Sequence, residues 1–223
     1  KKKNDLVLFL AHDLKTPLTS IVAYLTMLED HPDMPEEERK AYTHIALEKS
    51  IRLGELINEF FDITRYNLQS MPITKQNIDL VFLLEQLVEE SYPMLQEKKL
   101  ECILNKPKAI QFMGDGDKLA RAFGNLLKNA INYSYLNTTI KIDIKEYEDK
   151  IEIVFKNKGD KIPEYKLEKI FDKFYRADES RTSSTGGAGL GLAITKQIIE
   201  LHNGKIYAKN DNEFIEFYIE LSK

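Results

Sequence analysis

The sequence predicts an α+β fold: a helical hairpin at the N-terminal end, then an α/β sandwich. From Leu6 to Tyr66 the apolar residues recur at three- and four-residue intervals, the period of a helix. Strict alternation appears only later, at Ile140, Ile142 and Ile144, at Ile151, Ile153 and Phe155, and at Ile215, Phe217, Ile219 and Leu221. A polar, proline-containing stretch over residues 67–77 separates the two regimes and reads as a linker. The expected organisation is a hairpin over 1–68, a linker over 69–77 and a mixed domain over 78–223.

Each element has its own signal. Leu6, Leu10, Asp13, Pro17, Ile21, Tyr24 and Leu28 form a narrow stripe down one helix, which His31-Pro32-Asp33-Met34-Pro35 ends. Glu36, Glu37 and Glu38 suit the positive end of a new helix, whose stripe is Ala46, Leu53, Leu56, Phe60 and Ile63. One hairpin of two such helices cannot cover both stripes, whereas two hairpins side by side make a four-helix bundle, so a homodimer is expected. Beyond the linker, residues 80–95 read as a helix, LECIL as a strand and 117–133 as a helix. Glu148-Asp149 joins the first two alternating runs into a β-hairpin. Residues 164–174 and 189–203 read as helical, and the run from Ile215 closes the sheet. The stretch 179–187, rich in Ser, Thr and Gly, is expected to be mobile.

Composition narrows the function classes. Of 223 residues 43% are hydrophobic and 30% charged, an ordinary globular balance, and a net charge of −4 argues against a nucleic-acid partner, which would need a basic face. The lone Cys102 can form no internal disulfide; a small buried strand residue in a reducing compartment is the expectation. No apolar run approaches the roughly 18 residues of a membrane span. A signal peptide is not apparent, and a chain that opens on Lys1 in helical pattern reads as a piece of something longer.

Two groups of residues carry chemistry. On the first helix Thr16 lies one turn below His12, and Asp13 sits about 100° around from it. Pro17 has no N–H for the carbonyl of Asp13 and its ring pushes that carbonyl away, so a bend is expected beside the histidine. A neutral imidazole is a good nucleophile toward phosphorus, and a nearby carboxylate holds its tautomer and stabilises the cation that forms. A surface histidine beside a charged neighbour is the plain alternative. His31, His44 and His202 read as structural, the last with its charge suited to a helix end. With no cysteine pair and no close histidine pair, zinc is not expected.

The second group begins with Asn125 and Asn129, four apart on one helical face. An amide oxygen at Asn129 can enter the oxygen shell of Mg²⁺, although a buried pair satisfying backbone groups would look the same. Gly186, Gly187, Gly189 and Gly191 open a helix, where bare N–H groups suit phosphates. Their place after a Ser/Thr-rich stretch favours a nucleotide cradle over a flexible loop. An acceptor histidine and an ATP site in one chain together point to protein histidine phosphorylation.

At this point the residues resemble a family. HDLKTP at 12–17, NLLKNAINYS at 125–134, IFDKFYRAD at 170–178 and GGAGLGLAI at 186–194 occur in the order and spacing of the catalytic core of bacterial sensor histidine kinases. HDLKTPLTSIVAYL, DITRYNLQ and SSTGGAGLGLAI look particularly like the vancomycin-resistance sensor kinases. The resemblance implies a dimerisation and phosphotransfer hairpin followed by an ATP-binding domain of the Bergerat (GHKL) type. It also implies membrane-spanning sensor segments upstream, a cytoplasmic location for this portion, and a response-regulator receiver domain as partner. His12 then matches the phospho-acceptor, Asp13 its acid/base partner, and Thr16 the residue that orients water when such a kinase dephosphorylates its regulator. Asn129 matches the Mg²⁺ ligand, Asn125 a phosphate-site neighbour, and Tyr133 a residue along the nucleotide. Arg176 matches a cation that approaches the γ-phosphate during transfer, where stabilising spread negative charge is most of the catalysis. Phe171, Phe174 and Tyr175 are expected to clamp the lid, and Gly159, Gly187, Gly189, Leu190 and Gly191 to line the nucleotide.

Three departures matter. The family usually has Asp where this chain has Asn157, and a second glycine where it has Lys161; Asn132 stands where a basic residue is common. Asn157 can still accept from the adenine amino group, without charge assistance. Two other functions share part of this pattern. An ATP-hydrolysing machine of the related fold would carry a water-activating glutamate one turn before the metal-binding asparagine, where this chain has Asn125. A non-catalytic dimeric scaffold would be marked by loss of nucleotide-dependent labelling of His12.

Overall fold

The computed structural model describes residues 2–67, 72–172, 175 and 191–223; in the hairpin it describes side chains from Leu14 to Gly54 and at Leu56 and Ile57. The expected mobile stretch 179–187 lies outside the described residues. The chain divides into two compact units, Lys1–Met71 and Pro72–Lys223.

The first unit is a hairpin of α1 (Lys2–Asp30) and α2 (Glu36–Asn67). α1 continues through Pro17, which is buried. The turn closes by backbone bonds from His31 to Met27 and from Met34 to His31, and Arg39 donates to the carbonyls of Pro32 and Met34 at 3.1 and 3.2 Å. Between the helices lie Pro17, Ala46 and Leu56, with the rings of Tyr24 and Tyr42 5.3 Å apart. Of the described residues of the expected stripes these three are buried, and Ile21, Tyr24, Leu28 and Leu53 are half-buried. A different apolar set stays outside: Leu18, Val22 and Leu25 on α1, at four- and three-residue intervals, and Leu47 and Ile51 one turn apart on α2.

The second unit has helices over one face of a sheet. Its elements are β1 (Gln76–Asp79), α3 (Leu80–Glu90), α4 (Tyr92–Glu97), β2 (Glu101–Asn105), β3 (Gln111–Gly114), α5 (Gly116–Tyr133), β4 (Thr139–Glu146), β5 (Lys150–Lys158), two 3-10 turns (Glu164–Lys166 and Lys169–Phe171), α6 (Gly191–Leu201), β6 (Lys205–Asp211) and β7 (Phe214–Ser222). The main sheet has the order β2-β4-β5-β7-β6, with β2 parallel to β4 and the other pairs antiparallel; β1 and β3 form a separate antiparallel pair.

Alternation decides which face is which. Ile140, Ile142, Ile144, Ile151, Ile153, Phe155, Ile215, Phe217, Ile219 and Leu221 are buried. Against them α5 sets Leu119, Ala122, Phe123, Leu126, Leu127, Ala130 and Ile131, and the rings of Phe123 and Phe155 lie 6.3 Å apart. Burying each large side chain is worth about 1.5–3 kcal/mol. The opposite face is a charge ladder: Lys156 reaches Asp143 at 3.3 Å and Glu216 at 3.1 Å, and the rings of Tyr207 and Tyr218 stack 5.0 Å apart.

Several expectations need correction. The helix expected over 80–95 is two helices, because inside a continued helix Pro93 would have no N–H for the carbonyl four residues back; α4 instead starts at Tyr92 with the proline in its opening turn, where that N–H is not needed. The helix expected over 164–174 is two 3-10 turns as far as Phe171. β1 begins at Gln76, inside the expected linker, and pairs with β3, a strand too short to show alternation. His202 is not a charged helix cap. It is buried, and the Asp115 N–H donates to its Nε2 at 2.9 Å, so the proton sits on Nδ1 and is donated to the Ile198 carbonyl at 2.8 Å. Burial holds this imidazole neutral and lowers its pKa. Cys102 is half-buried in β2, and burial pushes its thiol up to about 11.

Candidate functional site

α5 carries the site because its start and its end are both fixed. Asp115 caps it by accepting from the Lys118 N–H at 3.2 Å, and its other oxygen takes the Thr74 N–H at 3.0 Å and the Lys118 ammonium at 2.6 Å. At the far end Lys98 donates to the carbonyls of Ile131 and Asn132, at 3.1 and 3.3 Å, where the helix dipole favours a cation. The Asn132 side chain lies 3.5 Å from that same ammonium.

The amphipathic face of α5 that packs on the sheet leaves Asn125 and Asn129 half-buried along one edge. Asn125 donates from Nδ2 to the carbonyl of Gly191, the first residue of α6, at 3.1 Å and lies 3.4 Å from Thr195 Oγ1. Buried Thr195 in turn donates to the Gly191 carbonyl at 2.8 Å. A Cβ on Gly191 would meet Asn125 Cγ at 3.7 Å. The Asn125 amide therefore joins α5 to the start of α6, the structural role that sequence reasoning left open. Asn129 lies one turn further along the same face.

β5 brings the second wall. Asn157 follows Phe155 by two residues and so lies on the helix-covered side of the sheet, opposite Ile215 of β7. Its side chain is 2% exposed, and among the described residues its Nδ2 is the one buried side-chain nitrogen or oxygen with no hydrogen-bond partner. Gly159 presses against the end of α5: a Cβ there would stand 2.2 Å from the Tyr133 carbonyl oxygen and 3.4 Å from Asn157 Nδ2. Two further bonds staple β5 to this helix end. The Tyr135 N–H donates to the Lys158 carbonyl at 2.8 Å, and the Tyr135 hydroxyl to Asp160 at 2.7 Å. Tyr133 itself is 44% exposed.

The described structure brings Asn125, Asn129, Tyr133, Asn157, Gly159 and Gly191 into one region between the end of α5, the end of β5 and the start of α6. Phe171 is buried among the described residues, edge-on to Phe217 at 6.2 Å. Tyr175 is half-buried, with its N–H on the Asp172 carbonyl. Phe174, Arg176, Gly187, Gly189 and Leu190 lie outside the described residues. In the hairpin unit His12 and Asp13 lie within α1, their side chains outside the described residues, and Thr16 is exposed. Sequence reasoning missed Lys98 and Thr195, whose roles depend on contacts across 34 and 70 positions of the chain.

No group of three or more His, Cys, Asp or Glu side chains among the described residues could hold a metal. A cation here would take its ligands from phosphate oxygens, water and an amide oxygen such as that of Asn129; Mg²⁺ prefers oxygen ligands and keeps several waters and phosphate oxygens. No helix among the described residues is long and apolar enough to cross a membrane.

Comparison with known proteins agrees with both units. Residues 2–69 match the His Kinase A (phospho-acceptor) domain, and residues 114–223 match the histidine kinase-, DNA gyrase B- and HSP90-like ATPase family. The chain is 50% identical over 221 residues to the sensor protein VanS of Enterococcus faecium, covering 99% of this chain and 57% of that protein. It is 45% identical to the sensor protein VanSC of Enterococcus gallinarum, over all of this chain and 62% of that one. Among solved structures, the catalytic domain of histidine kinase ThkA is 29% identical with a TM-score of 0.60, covering 69% of this chain and 97% of that one. The ThkA structure in complex with response regulator protein TrrA shares the fold, with a TM-score of 0.79 at 24% identity, over 98% of this chain and 61% of that one. The ATPase match alone would admit gyrase-like and chaperone-like proteins. Joined to a phospho-acceptor hairpin and to close sequence identity with two sensor proteins, it does not, and the chain belongs to the sensor histidine kinases as a VanS-like catalytic core.

Proposed function

We propose that this chain catalyses ATP-dependent phosphorylation of its own His12 and passes the phosphoryl group to an aspartate of a response regulator. The observation that carries the reading is the union, in one chain, of a phospho-acceptor domain with a nucleotide-type wall whose buried Asn157 amide lacks a partner. The neutral imidazole attacks the γ-phosphorus through one ring nitrogen. A P–N bond forms, the bond to the β–γ bridging oxygen breaks, and ADP leaves with the electron pair. The proton stays on the other ring nitrogen, where Asp13 stabilises the imidazolium. In this reading Asn157 reads the adenine edge, Tyr133 serves the base, and the phosphates are the part assigned to Arg176, Gly187, Gly189 and Gly191. Asn129 would hold Mg²⁺, which supplies neutralisation of the phosphate charge. Thr16 is exposed on α1, and in this reading it would orient water for dephosphorylation of the regulator.

The uncovered apolar set on the hairpin favours a homodimer through a four-helix bundle. This chain spans 57% and 62% of the length of VanS and VanSC, so in our reading it is the cytoplasmic portion of a membrane sensor that reaches the membrane through other segments. Incubation with γ-labelled ATP and Mg²⁺, then with a receiver domain, tests the sequence of events. A label that is acid-labile and alkali-stable, as a phosphoramidate is, and that moves to the receiver domain is expected. An acid-stable label, or none, would overturn the reading.

A further inference from the structure

The unpartnered amide of Asn157 bears on which nucleotides the site takes, and its role rests on the reading of this region as a nucleotide site. A buried polar side chain normally has a partner, and one without calls for an explanation. Asn157 is 98% enclosed, on the side of β5 that faces α5, and a Cβ on Gly159 would stand 3.4 Å from its Nδ2. That glycine, with no side chain, sets no Cβ against the amide nitrogen. The planar group carries one donor and one acceptor.

A carboxylate here would offer acceptors only. It would suit the 6-amino group of adenine and oppose the carbonyl oxygen of a 6-oxopurine. An amide is not so restricted. With Oδ1 toward the C6 substituent, it accepts from the adenine amino group while Nδ2 donates to the adjacent ring nitrogen. Turned by 180° about its last torsion, the same amide donates from Nδ2 to a 6-oxo group and accepts from the protonated ring nitrogen beside it. Both pairings satisfy the amide nitrogen that has no partner in the chain.

We propose that Asn157 is a specificity-determining residue that relaxes base selection, so that the site binds 6-oxopurine nucleoside triphosphates as well as ATP. Displacement of a fluorescent nucleotide from the full chain by ATP, inosine triphosphate or UTP, with Mg²⁺ present, tests this. For the unaltered chain, inosine triphosphate should bind within about tenfold of ATP, and UTP much more weakly, since a paired base edge is worth roughly five- to a hundredfold in discrimination. Asn157→Asp should tighten ATP and weaken inosine triphosphate, shifting their ratio by about tenfold or more. Exclusion of inosine triphosphate by a chain that binds ATP would overturn the proposal alone. So would an unchanged ratio in Asn157→Asp, or UTP binding as well as the purines, which would mean that no base edge is read. Binding of none of the three would overturn the nucleotide-site reading and this proposal with it. If Asn157→Asp does not fold, the comparison of the three nucleotides on the unaltered chain still decides.

Discussion

Gly159→Ala puts the geometry of the site under the most direct strain. The added Cβ would stand 2.2 Å from the Tyr133 carbonyl oxygen. Ordinary van der Waals contact begins about 1.2 Å further out, and the obstructing atom is backbone, so no rotamer change relieves it. The end of β5 and the end of α5 must part, against the Tyr135 N–H bond to Lys158 and the Tyr135 hydroxyl bond to Asp160 that hold them. Overpacking of this kind costs about 1–3 kcal/mol, and for a protein of this size each kcal/mol lowers the Tm by about 2–4 °C. The displacement also moves Asn157 relative to Tyr133 by a fraction of an ångström to an ångström, enough at a polar contact to cost about tenfold or more in ATP affinity. Thermal unfolding gives the first quantity and displacement of a fluorescent nucleotide the second. An alanine variant with unchanged Tm and unchanged ATP affinity would refute the close approach and the role given to this corner.

Other outcomes follow from separate parts of the molecule. His202 has its pKa lowered in the fold, burial being the largest cause, with Asp115 opposing and Lys75 and Lys118 adding to it. The unfolded chain therefore binds the proton more readily, and the stability that the neutral ring contributes is present above the ordinary histidine pKa and lost as the pH falls below about 6.5. Urea unfolding from pH 7.5 to pH 5 should show a loss in the unaltered chain that is smaller in His202→Gln; equal losses would contradict the neutral, doubly bonded ring. Ile51→Glu, at an exposed position one turn from Leu47, should halve the molar mass seen by light scattering if the hairpins associate through this stripe. A dimer that survives it would place the interface elsewhere. Asp115→Ala removes the cap of α5, the Lys118 ion pair and the bond to Thr74, and should cost about 1–2 kcal/mol in denaturant unfolding; a loss under a few tenths would show the cap to be idle.

What could be read before the fold was known follows from period and spacing. The helical stripes of α1 and α2, the alternation of β4, β5 and β7 and the amphipathic pattern of α5 are local signals. Each survives because the element also buries the face that the pattern marks. β1, β3 and β6 were missed for the same reason: two have four residues, and the last is an edge strand in which one residue, Ala208, is buried. Short elements are set by their partners, as Ile78 is by Phe112. At the site, Asn125, Asn129 and Gly191 were legible from motif spacing, yet the chemistry of Asn125 was not. Whether its amide meets a phosphate or a backbone carbonyl depends on α6, which arrives 66 positions later. The burial of Phe171 against the edge-on ring of Phe217 was not legible either, because an aromatic residue in a motif looks alike whether it sits at a lid or packs in a core. His202 shows the same limit, since its charge state hangs on one N–H donated by Asp115, 87 positions away.

The central claim is that His12 takes the γ-phosphoryl group of ATP. Labelling with γ-labelled ATP and Mg²⁺, run in parallel on the unaltered chain and on His12→Gln with binding of a fluorescent nucleotide measured in both, tests it most directly. The account predicts nucleotide binding in both chains and an acid-labile label in the unaltered chain alone. A label of equal intensity on His12→Gln would contradict it, and so would no label on an unaltered chain that binds ATP.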